Sequence, residues 1–404
     1  MKKIIVLLIL SFSISGVDAA SGVSARIGNN YYDTLENAIK TSTSNDIITL
    51  TSDTSLDKTL EINKTVNINL NNHNIEAKNK VFVIQGGSLN LSGKGKIIET
   101  EPYYGAITLI GSDSKDNKDF STISVGKDIV LEGWSGIFIN HLNNTAYGIL
   151  VNMNGTINAV NDIDGGTGIG IYTNGNIKNS DNAPIINLSN TSKITSTGNG
   201  IYSAGYATYN INGAYIEGVE SGLGIKSGTF NINNATIIGS GSDKTPTSGN
   251  NDGINASGTA IQIESNIGYK GNIKLNIKDG NFTSNNSNVI YEYVVNGNDT
   301  KVKDINISGG KFMSKKAKNV VEISDELKST HPNFISGGVY SSDVSRYLKN
   351  GFTLEKNNNL YEVITNNIST FKEEENRKNI VIPIIITILS ISSISIYVYI
   401  KKIQ

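Results

Sequence analysis

The chain has 404 residues, of which 38% are hydrophobic and 18% are charged, and its formal net charge is −1. This composition supplies enough apolar material for a sizeable core and excludes a disordered polar chain. The balanced charge argues against the one-sided basic surface that nucleic acid binding needs, so we predict no nucleic acid partner. The absence of cysteine excludes disulfides, thiolate nucleophiles and cysteine-based zinc sites.

Residues 1–19 have the pattern of a secretory signal peptide. Lys2 and Lys3 precede an apolar run that starts at Ile4, and small residues end the segment at Ala19. The sequence therefore predicts export of the rest of the chain.

A short amphipathic helix is predicted at residues 33–41. Asp33 and Glu36 have the spacing of a capping box, and the apolar residues between 35 and 39 fall on one helical face. Strand patterns begin directly after this segment. We therefore expect the helix to cap the N-terminal end of a β-structured body that covers residues 25–345.

Two strand phrases alternate along this body. One phrase starts with glycine followed by alternating aliphatic residues, as in GAITL at 105, GIFIN at 136, GILVN at 148, GIGIY at 168, GIYSA at 200 and GLGIK at 222. The other is interrupted by Gly or Asn, as in LNLSGKGKI at 89, YNINGAYIEG at 209, FNINNATIIG at 230, LNIKDGNFTS at 275 and INISGGKFMS at 305. Period-two alternation predicts half-buried strands.

The spacing of the phrases distinguishes among all-β folds. Units of roughly 20 to 30 residues are too short for propeller blades, and the body lacks the domain breaks of successive sandwiches. A solenoid fits, because each coil buries its inward aliphatic residues when neighbouring coils stack on it. Four asparagines followed by glycine are expected to supply left-handed corners: Asn174, Asn199, Asn212 and Asn296.

The C-terminal part of the chain departs from this rhythm. Residues 346–363 are predicted to cap the second end of the solenoid, since open strand edges invite aggregation. Residues 364–379 are polar without periodicity and predict a stalk. The uncharged run at 380–400 is long enough to cross a bilayer of about 30 Å and predicts one transmembrane helix, the alternative being a buried core helix. With a cytoplasmic tail at 401–404, the expected location is the cell membrane, with the body extracellular.

Three stretches resemble a known family. The opening IGNNYYDTLENAIKTSTSNDIITLTSD at 27, the phrases of the INISGGKF type and the close ISGGVYSSDVSRYLKNGF at 335 are similar to repetitive surface proteins of Gram-positive bacteria that carry pectin-lyase-like β-helices. The resemblance covers residues 25–363. It implies an all-β, right-handed parallel β-helix with an adhesin-like role. No LPxTG-like sorting signal precedes Ile380, so anchoring by the helix itself is expected instead of covalent wall attachment.

The same fold hosts polysaccharide lyases and hydrolases, which need a basic residue beside a calcium cluster, or clustered carboxylates. The few arginines lie outside the coil repeats, and nothing marks a catalytic lysine. Asp162 and Asp164 lie two residues apart and can share a strand face, although the glycines that follow them fit a turn equally well. We predict no catalytic residue, metal or cofactor. The alternative is a surface polysaccharide lyase or glycoside hydrolase that uses this carboxylate pair.

Aromatic residues beside the strand phrases are the candidates for ligand contact. Tyr103 and Tyr104 precede one glycine phrase, Trp134 precedes another, and Tyr206 and Tyr209 follow a third. Aromatic faces stack on sugar rings, and tyrosine adds a hydrogen-bonding tip. These residues predict a platform for an extracellular glycan or a host surface protein, unless several of them fill the core or the corners. The predicted function is therefore non-catalytic adhesion or glycan contact at the cell surface.

Overall fold

The structure is a computed structural model that describes residues 23–101, 103–114, 116, 120–140, 147–160, 167–174, 182–242 and 258–366. The predicted signal peptide, transmembrane segment and tail lie outside these residues, as does most of the predicted stalk. Within the described ranges, no helix is long and apolar enough to cross a bilayer. The chain divides into two compact units: unit 1 extends to Asn187 and includes Thr191–Ser196, and unit 2 comprises Leu188–Asn190 and the residues from Thr197 onward.

Unit 1 contains one described helix, α1 (Leu35–Thr41), and a long series of short strands. In chain order these are β1 (Ala25–Ile27), β2 (Asn30–Tyr32), β3 (Ile47–Leu50), β4 (Thr54–Leu56), β5 (Leu60–Ile62), β6 (Thr65–Asn69), β7 (Ile75–Ala77), β8 (Phe82–Gln85), β9 (Ser88–Ser92), β10 (Gly95–Glu99), β11 (Gly105–Ile110), β12 (Ser121–Val125), β13 (Ile129–Gly133), β14 (Ser135–Asn140), β15 (Ile149–Met153), β16 (Thr156–Ala159), β17 (Ile169–Thr173), β18 (Ile185–Leu188) and β19 (Lys193–Ser196).

From β3 onward, every third strand of unit 1 belongs to the same sheet. Sheet A1 has the order β2-β1-β3-β6-β9-β12-β15-β18, sheet B1 the order β4-β7-β10-β13-β16-β19, and sheet C1 the order β5-β8-β11-β14-β17. The pairs within these runs are parallel, whereas β1 pairs antiparallel with both β2 and β3. The all-β prediction is confirmed, and the long parallel sheets are consistent with a solenoid.

Unit 2 continues the same strand pattern. Its strands are β20 (Asn199–Ser203), β21 (Thr208–Asn212), β22 (Tyr215–Gly218), β23 (Ser221–Ile225), β24 (Gly228–Asn233), β25 (Ala235–Gly239), β26 (Thr259–Asn266), β27 (Ile273–Ile277), β28 (Gly280–Ser284), β29 (Ile290–Val295), β30 (Val302–Ile307), β31 (Lys311–Ser314), β32 (Val321–Glu322), β33 (Val339–Tyr340), β34 (Phe352–Asn357) and β35 (Leu360–Thr365). Sheet A2 has the order β21-β24-β27-β30, sheet B2 the order β22-β25-β28-β31-β33-β35-β34, and sheet C2 the order β20-β23-β26-β29-β32.

The end of unit 2 changes from parallel to antiparallel pairing. Helix α2 (Asp325–Thr330) and a 3-10 helix (Ser345–Tyr347) interrupt the strands, and β35 pairs antiparallel with both β33 and β34. The segment predicted as a C-terminal cap, 346–363, therefore forms most of a hairpin at the end of B2. Because β35 ends at Thr365, the predicted stalk starts inside a strand.

The helix α1 starts slightly later than the sequence suggests. Thr34, not Asp33, is the N-cap residue, and its hydroxyl accepts a hydrogen bond from the backbone N–H of Asn37 at 3.2 Å. The Asp33 carboxylate instead accepts from Asn37 Nδ2 at 2.9 Å. The predicted capping box of Asp33 and Glu36 is therefore wrong, because the helix is in register with Thr34. The predicted apolar face is buried.

Asparagine side chains form ladders on the A sheets. Asn231 Nδ2 donates to Asn210 Oδ1 at 3.1 Å, and Asn276 Nδ2 donates to Asn231 Oδ1 at 3.1 Å. In A1, Asn90 donates in the same way to Asn67 at 2.9 Å. Each such bond contributes about 0.5–1.5 kcal/mol. The partners are 21 residues apart in one case and 45 in another, so the coil length varies widely.

The predicted left-handed corners occur only in part. Asn296 has a φ of 55°, as expected for a left-handed corner residue. Asn199 and Asn212 instead lie within β20 and β21, because the strand ladder extends through them. Gly213, which follows Asn212, adopts the left-handed conformation instead, with a φ of 78°.

The recurring glycine phrase provides close packing between sheets. A Cβ atom placed on Gly136, Gly200 or Gly222 would lie 2.4 to 2.5 Å from a methyl carbon of an isoleucine in the following B-sheet strand. Real Cβ atoms do not approach other carbons this closely, so each position requires glycine for space. The phrase is therefore structural at these three positions.

We expect Gly222→Ala to lower the free energy of unfolding by about 1–3 kcal/mol. Its new methyl would lie 2.5 Å from Ile237 Cγ2 and 2.7 Å from the backbone oxygen of Ala260, which cannot move without separating β23 from β26. Gly297→Ala is the control, since its closest neighbour is a methyl of the exposed Ile267 at 3.1 Å. Urea unfolding of the two variants measures the difference, and equal losses would contradict this packing role.

Candidate functional site

Two aromatic side chains lie side by side on the outer face of sheet C1. Phe138 in β14 pairs with Tyr172 in β17, and both side chains are half-buried. The residues on either side of each ring are buried, namely Ile137 and Ile139 beside Phe138 and Ile171 and Thr173 beside Tyr172, so the rings project from the opposite face. Their centroids are 4.7 Å apart with an angle of 39° between the planes.

Trp134 and Tyr103 extend this pair into a row of four rings. The Trp134 ring lies 6.1 Å from that of Tyr172 and 5.7 Å from that of Tyr103, measured between centroids. These distances fall within the range of about 4.5–7 Å for attractive ring pairs. We call the row of Tyr103, Trp134, Tyr172 and Phe138 the aromatic face.

Tyr103 is the exposed end of the aromatic face. Its side chain is 62% exposed, and its backbone has a φ of 69°, a left-handed conformation that is rare for a bulky residue. Such a conformation costs about 1–3 kcal/mol and is typical of functional sites. The strained backbone presents the ring to solvent beside Trp134.

Tyr104 lies next to the aromatic face without the same exposure. Its side chain is half-buried, and Lys80 Nζ lies 5.3 Å from the centroid of its ring. This distance fits a cation–π interaction. Tyr104 therefore places a positive charge close to the exposed end of the face.

A buried carboxyl supports Trp134. Glu99, at the end of β10, is 4% exposed and accepts hydrogen bonds from the backbone N–H of Trp134 at 3.1 Å and from that of Glu101. The pKa of Glu99 is raised to about 7, mainly by burial. The two backbone N–H groups oppose this increase, and the charge of Glu101 adds to it. The Glu99 carboxyl thus fixes the backbone that carries the central ring.

The stability of the protein should depend on the ionisation of Glu99. The pKa of Glu99 is raised in the folded state, so folding favours the protonated carboxyl. The contribution of this carboxyl to the free energy of unfolding is therefore fully present below about pH 4.5 and is lost as the pH rises to about 7. We expect the free energy of unfolding to fall across this window and Glu99→Gln to remove that part of the pH dependence. Urea unfolding at several pH values measures both proteins, and parallel profiles would contradict the assignment.

Tyr206 and Tyr209 do not join the aromatic face, so their predicted role in ligand contact is wrong. Tyr206 is 7% exposed, and its hydroxyl lies 3.0 Å from Thr229 Oγ1. Tyr209 is fully buried and stacks on Phe230 with a centroid distance of 4.3 Å. Both residues belong to unit 2 and lie in its interior, in agreement with the alternative prediction that several of these aromatic residues fill the core.

The predicted carboxylate pair, Asp162 and Asp164, lies outside the described residues. Across the parts of the chain that the structure describes, no group of three or more His, Asp or Glu side chains is arranged to hold a metal ion.

Unit 2 contains a buried polar cluster that no sequence pattern predicts. Lys226 Nζ lies 2.6 Å from Glu264 Oε2, and these side chains are only 2% and 1% exposed. The rings of Tyr202 and Tyr269 lie 5.2 and 4.8 Å from the same Nζ atom. Lys226 directly follows β23 and faces Glu264 because Ile225 pairs with the preceding residue of β26.

Further polar groups donate hydrogen bonds to the Glu264 carboxylate. Asn266 Nδ2 donates to Oε1 at 2.8 Å, and the Tyr293 hydroxyl donates to Oε2 at 3.1 Å. Gln262 Nε2 in turn donates to the Tyr293 hydroxyl at 2.7 Å. Burial, and then the charge of Glu264, raise the pKa of Tyr293 well above its usual range, so this hydroxyl stays protonated.

Lys301 closes the cluster on one side. Its Nζ donates to the backbone oxygens of Lys226 at 2.9 Å and Tyr269 at 2.7 Å. Burial lowers the pKa of Lys301 to about 8; Glu264 opposes this effect, and Lys226 adds to it. The charged groups converge as in an active site, yet Lys226 and Glu264 are closed off from solvent. The cluster is therefore not a contact surface for an external substrate.

Surface cavities occur elsewhere. One of about 700 Å³ adjoins α1, and one of about 610 Å³ adjoins the β34–β35 hairpin. The residues that line these two cavities include none from the aromatic face or the buried cluster.

The chemistry of the aromatic face is thus the basis on which a function can be inferred. Comparison of the chain with protein-family models, with curated proteins and with solved structures finds no match.

Proposed function

We propose that the chain is an exported, membrane-anchored cell-surface protein that binds glycans through the aromatic face without catalysis. The resemblance to pectin-lyase-like surface proteins of Gram-positive bacteria supports this proposal. In the proposed fold the coils form a right-handed parallel β-helix, since crossovers between parallel strands are almost always right-handed. Adhesion to a host surface is the role that this architecture would serve.

The row of four rings is the observation that carries the proposal. Sugar rings present apolar C–H faces that stack on aromatic side chains, and tyrosine hydroxyls can bond to sugar hydroxyls. The rings lie 4.7 to 6.1 Å apart, so that one glycan chain can contact several of them. Tyr103 offers its ring directly to solvent, at 62% exposure.

The proposed anchoring rests on the segments at residues 1–19 and 380–400. Deletion of residues 380–404 is expected to move the protein from the membrane fraction into the culture medium, because the uncharged run would no longer hold it in the bilayer. Immunoblots of the two fractions measure this shift. Retention of the truncated chain on the membrane would contradict the anchor.

A glycan array probed with the purified full chain tests the binding function. For the glycans that bind, we expect Tyr103→Ala to weaken binding about tenfold, which corresponds to about 1.4 kcal/mol. Tyr31→Ala is the matched control, because Tyr31 is 56% exposed and lies in β2, outside the aromatic face. An array without any bound glycan, or equal binding by both variants, would count against the proposal.

A glycoside hydrolase is the second candidate, and Glu99 is the observation that favours it. A carboxyl with a pKa of about 7 suits general acid catalysis at neutral pH, and the charge of Glu101 lies close enough to affect it. Its 4% exposure favours the binding function instead. Release of sugar product from an array polymer, abolished by Glu99→Gln, would establish the hydrolase.

A further inference from the structure

One carboxylate in the buried cluster holds an amine and a carboxamide at the same time. Glu264 Oε2 lies 2.6 Å from Lys226 Nζ, and Glu264 Oε1 lies 2.8 Å from Asn266 Nδ2. Because both groups bind the two oxygens of a single carboxylate, the lysine amine and the asparagine amide are neighbours. Lys226 directly follows β23 and Asn266 is the last residue of the adjacent strand β26, so the register of the two strands places them at diagonal positions.

The surroundings of these three groups suit a reaction between them. All three are buried, at 2% exposure for Lys226, 1% for Glu264 and 3% for Asn266. The backbone N–H of Gly268 donates to Asn266 Oδ1 at 2.9 Å and so polarises the carbonyl group. The aromatic ring of Tyr269 covers the amine and limits the access of water.

We propose that Lys226 and Asn266 form an intramolecular isopeptide bond, with Glu264 as the catalytic residue that transfers the proton. Glu264 takes a proton from the Lys226 ammonium group, and the neutral Nζ attacks Cγ of Asn266. The N–H of Gly268 stabilises the charge that develops on Oδ1. As the Cγ–Nδ2 bond breaks, the departing nitrogen takes the proton held by Glu264 and the second proton that Nζ loses, so it leaves as an ammonium ion and Glu264 is again a carboxylate.

The reaction is balanced without any further reactant. One C–N bond forms and one breaks: an ammonium side chain and a carboxamide become a secondary amide and one ammonium ion, so the protein loses the mass of one ammonia relative to its neutral form. No oxidant, cofactor or metal takes part. The new amide would join the end of β23 to β26, the two consecutive strands of C2 that are separated by the most residues in the sequence. A covalent link that closes a chain segment limits the freedom of the unfolded state.

Mass spectrometry of the full chain after denaturation and trypsin digestion tests the proposal. We expect one branched peptide that contains both Lys226 and Asn266, lighter than the sum of the two linear peptides by the mass of one ammonia. Trypsin should not cut after the acylated Lys226. Glu264→Gln and Lys226→Met are expected to give only linear peptides, whereas the control Lys274→Met keeps the branch because Lys274 is exposed on β27 and lies outside the buried cluster.

The wild-type digest decides the matter even if a variant fails to fold. Linear peptides with Lys226 and Asn266 both unmodified would overturn the proposal, as would a branch through Lys301. Loss of ammonia also occurs when an Asn–Gly pair cyclises, so fragment ions must place the missing ammonia at Asn266. An ammonia loss without a branch counts against the bond.

Discussion

Phe312→Ala is expected to lower the free energy of unfolding by about 3–5 kcal/mol. Phe312 is fully buried and stacks between Phe282 at 4.6 Å and Tyr340 at 4.8 Å, with the ring planes within 9° of parallel on both sides. The three rings stand in register on β28, β31 and β33. Removal of the middle ring leaves a void between two coils that cannot close without moving both strands.

Urea unfolding followed by far-ultraviolet circular dichroism measures this loss. Phe120→Ala is the matched control, since Phe120 is 39% exposed and lies outside the stack, and its loss should stay below about 1 kcal/mol. A Phe312→Ala variant that unfolds at the wild-type urea concentration would contradict the stacked core of sheet B2.

Glu292→Ala is expected to cost about 2–4 kcal/mol. Glu292 faces the interior of unit 2 and accepts hydrogen bonds from Ser265 Oγ at 2.9 Å, from Thr300 Oγ1 at 3.2 Å, and from Ser324 through its N–H at 2.9 Å and its Oγ at 2.6 Å. Alanine leaves these donors in a closed space without their acceptor. Ser324 is also the N-cap of α2, so the helix loses its link to β29.

Two further variants separate hydrogen bonding from charge. Glu292→Gln keeps one acceptor oxygen and should retain part of the stability, whereas Glu322→Ala, at the exposed end of β32, should change it by less than about 0.5 kcal/mol. Thermal melts of the three variants rank them. Equal melting temperatures for Glu292→Ala and Glu322→Ala would show that the buried carboxylate has no structural role.

The sequence predicts the strands and their assembly well because both depend on local patterns. Alternation of apolar and polar residues marks each strand, and the repeated phrases require that successive coils present the same face. Coil length is not encoded locally. Asn210 and Asn231 are 21 residues apart, and Asn231 and Asn276 are 45 apart, yet one ladder joins all three. Additional residues can be inserted between two strands without changing the register in which those strands pair.

The aromatic face is predicted only in part. The sequence predicts Tyr103 and Trp134 as contact residues but does not single out Phe138 and Tyr172, which lie within the glycine phrases. A signal is present in the sequence, because Phe138 and Tyr172 alternate along their strands with residues that are buried, and side chains that alternate with buried ones point outward. The same rule places Tyr209 inward, because it lies two residues before the buried Ile211.

The buried cluster could not be predicted in this way. Lys226 and Glu264 are 38 residues apart in the sequence. Their pairing follows from the register of β23 with β26, which the spacing of the phrases does not determine. Polar residues in unequal coils become neighbours only once the three-dimensional register is known.

Fluorescence of the only tryptophan tests most directly whether the aromatic face is the binding site. Trp134 is the single tryptophan of the chain and lies between Tyr103 and Tyr172. Titration of the full chain with a glycan bound on the array should change the emission of Trp134 saturably, and Tyr172→Ala should weaken that response about tenfold. Binding of the glycan with no change in Trp134 emission would contradict the account.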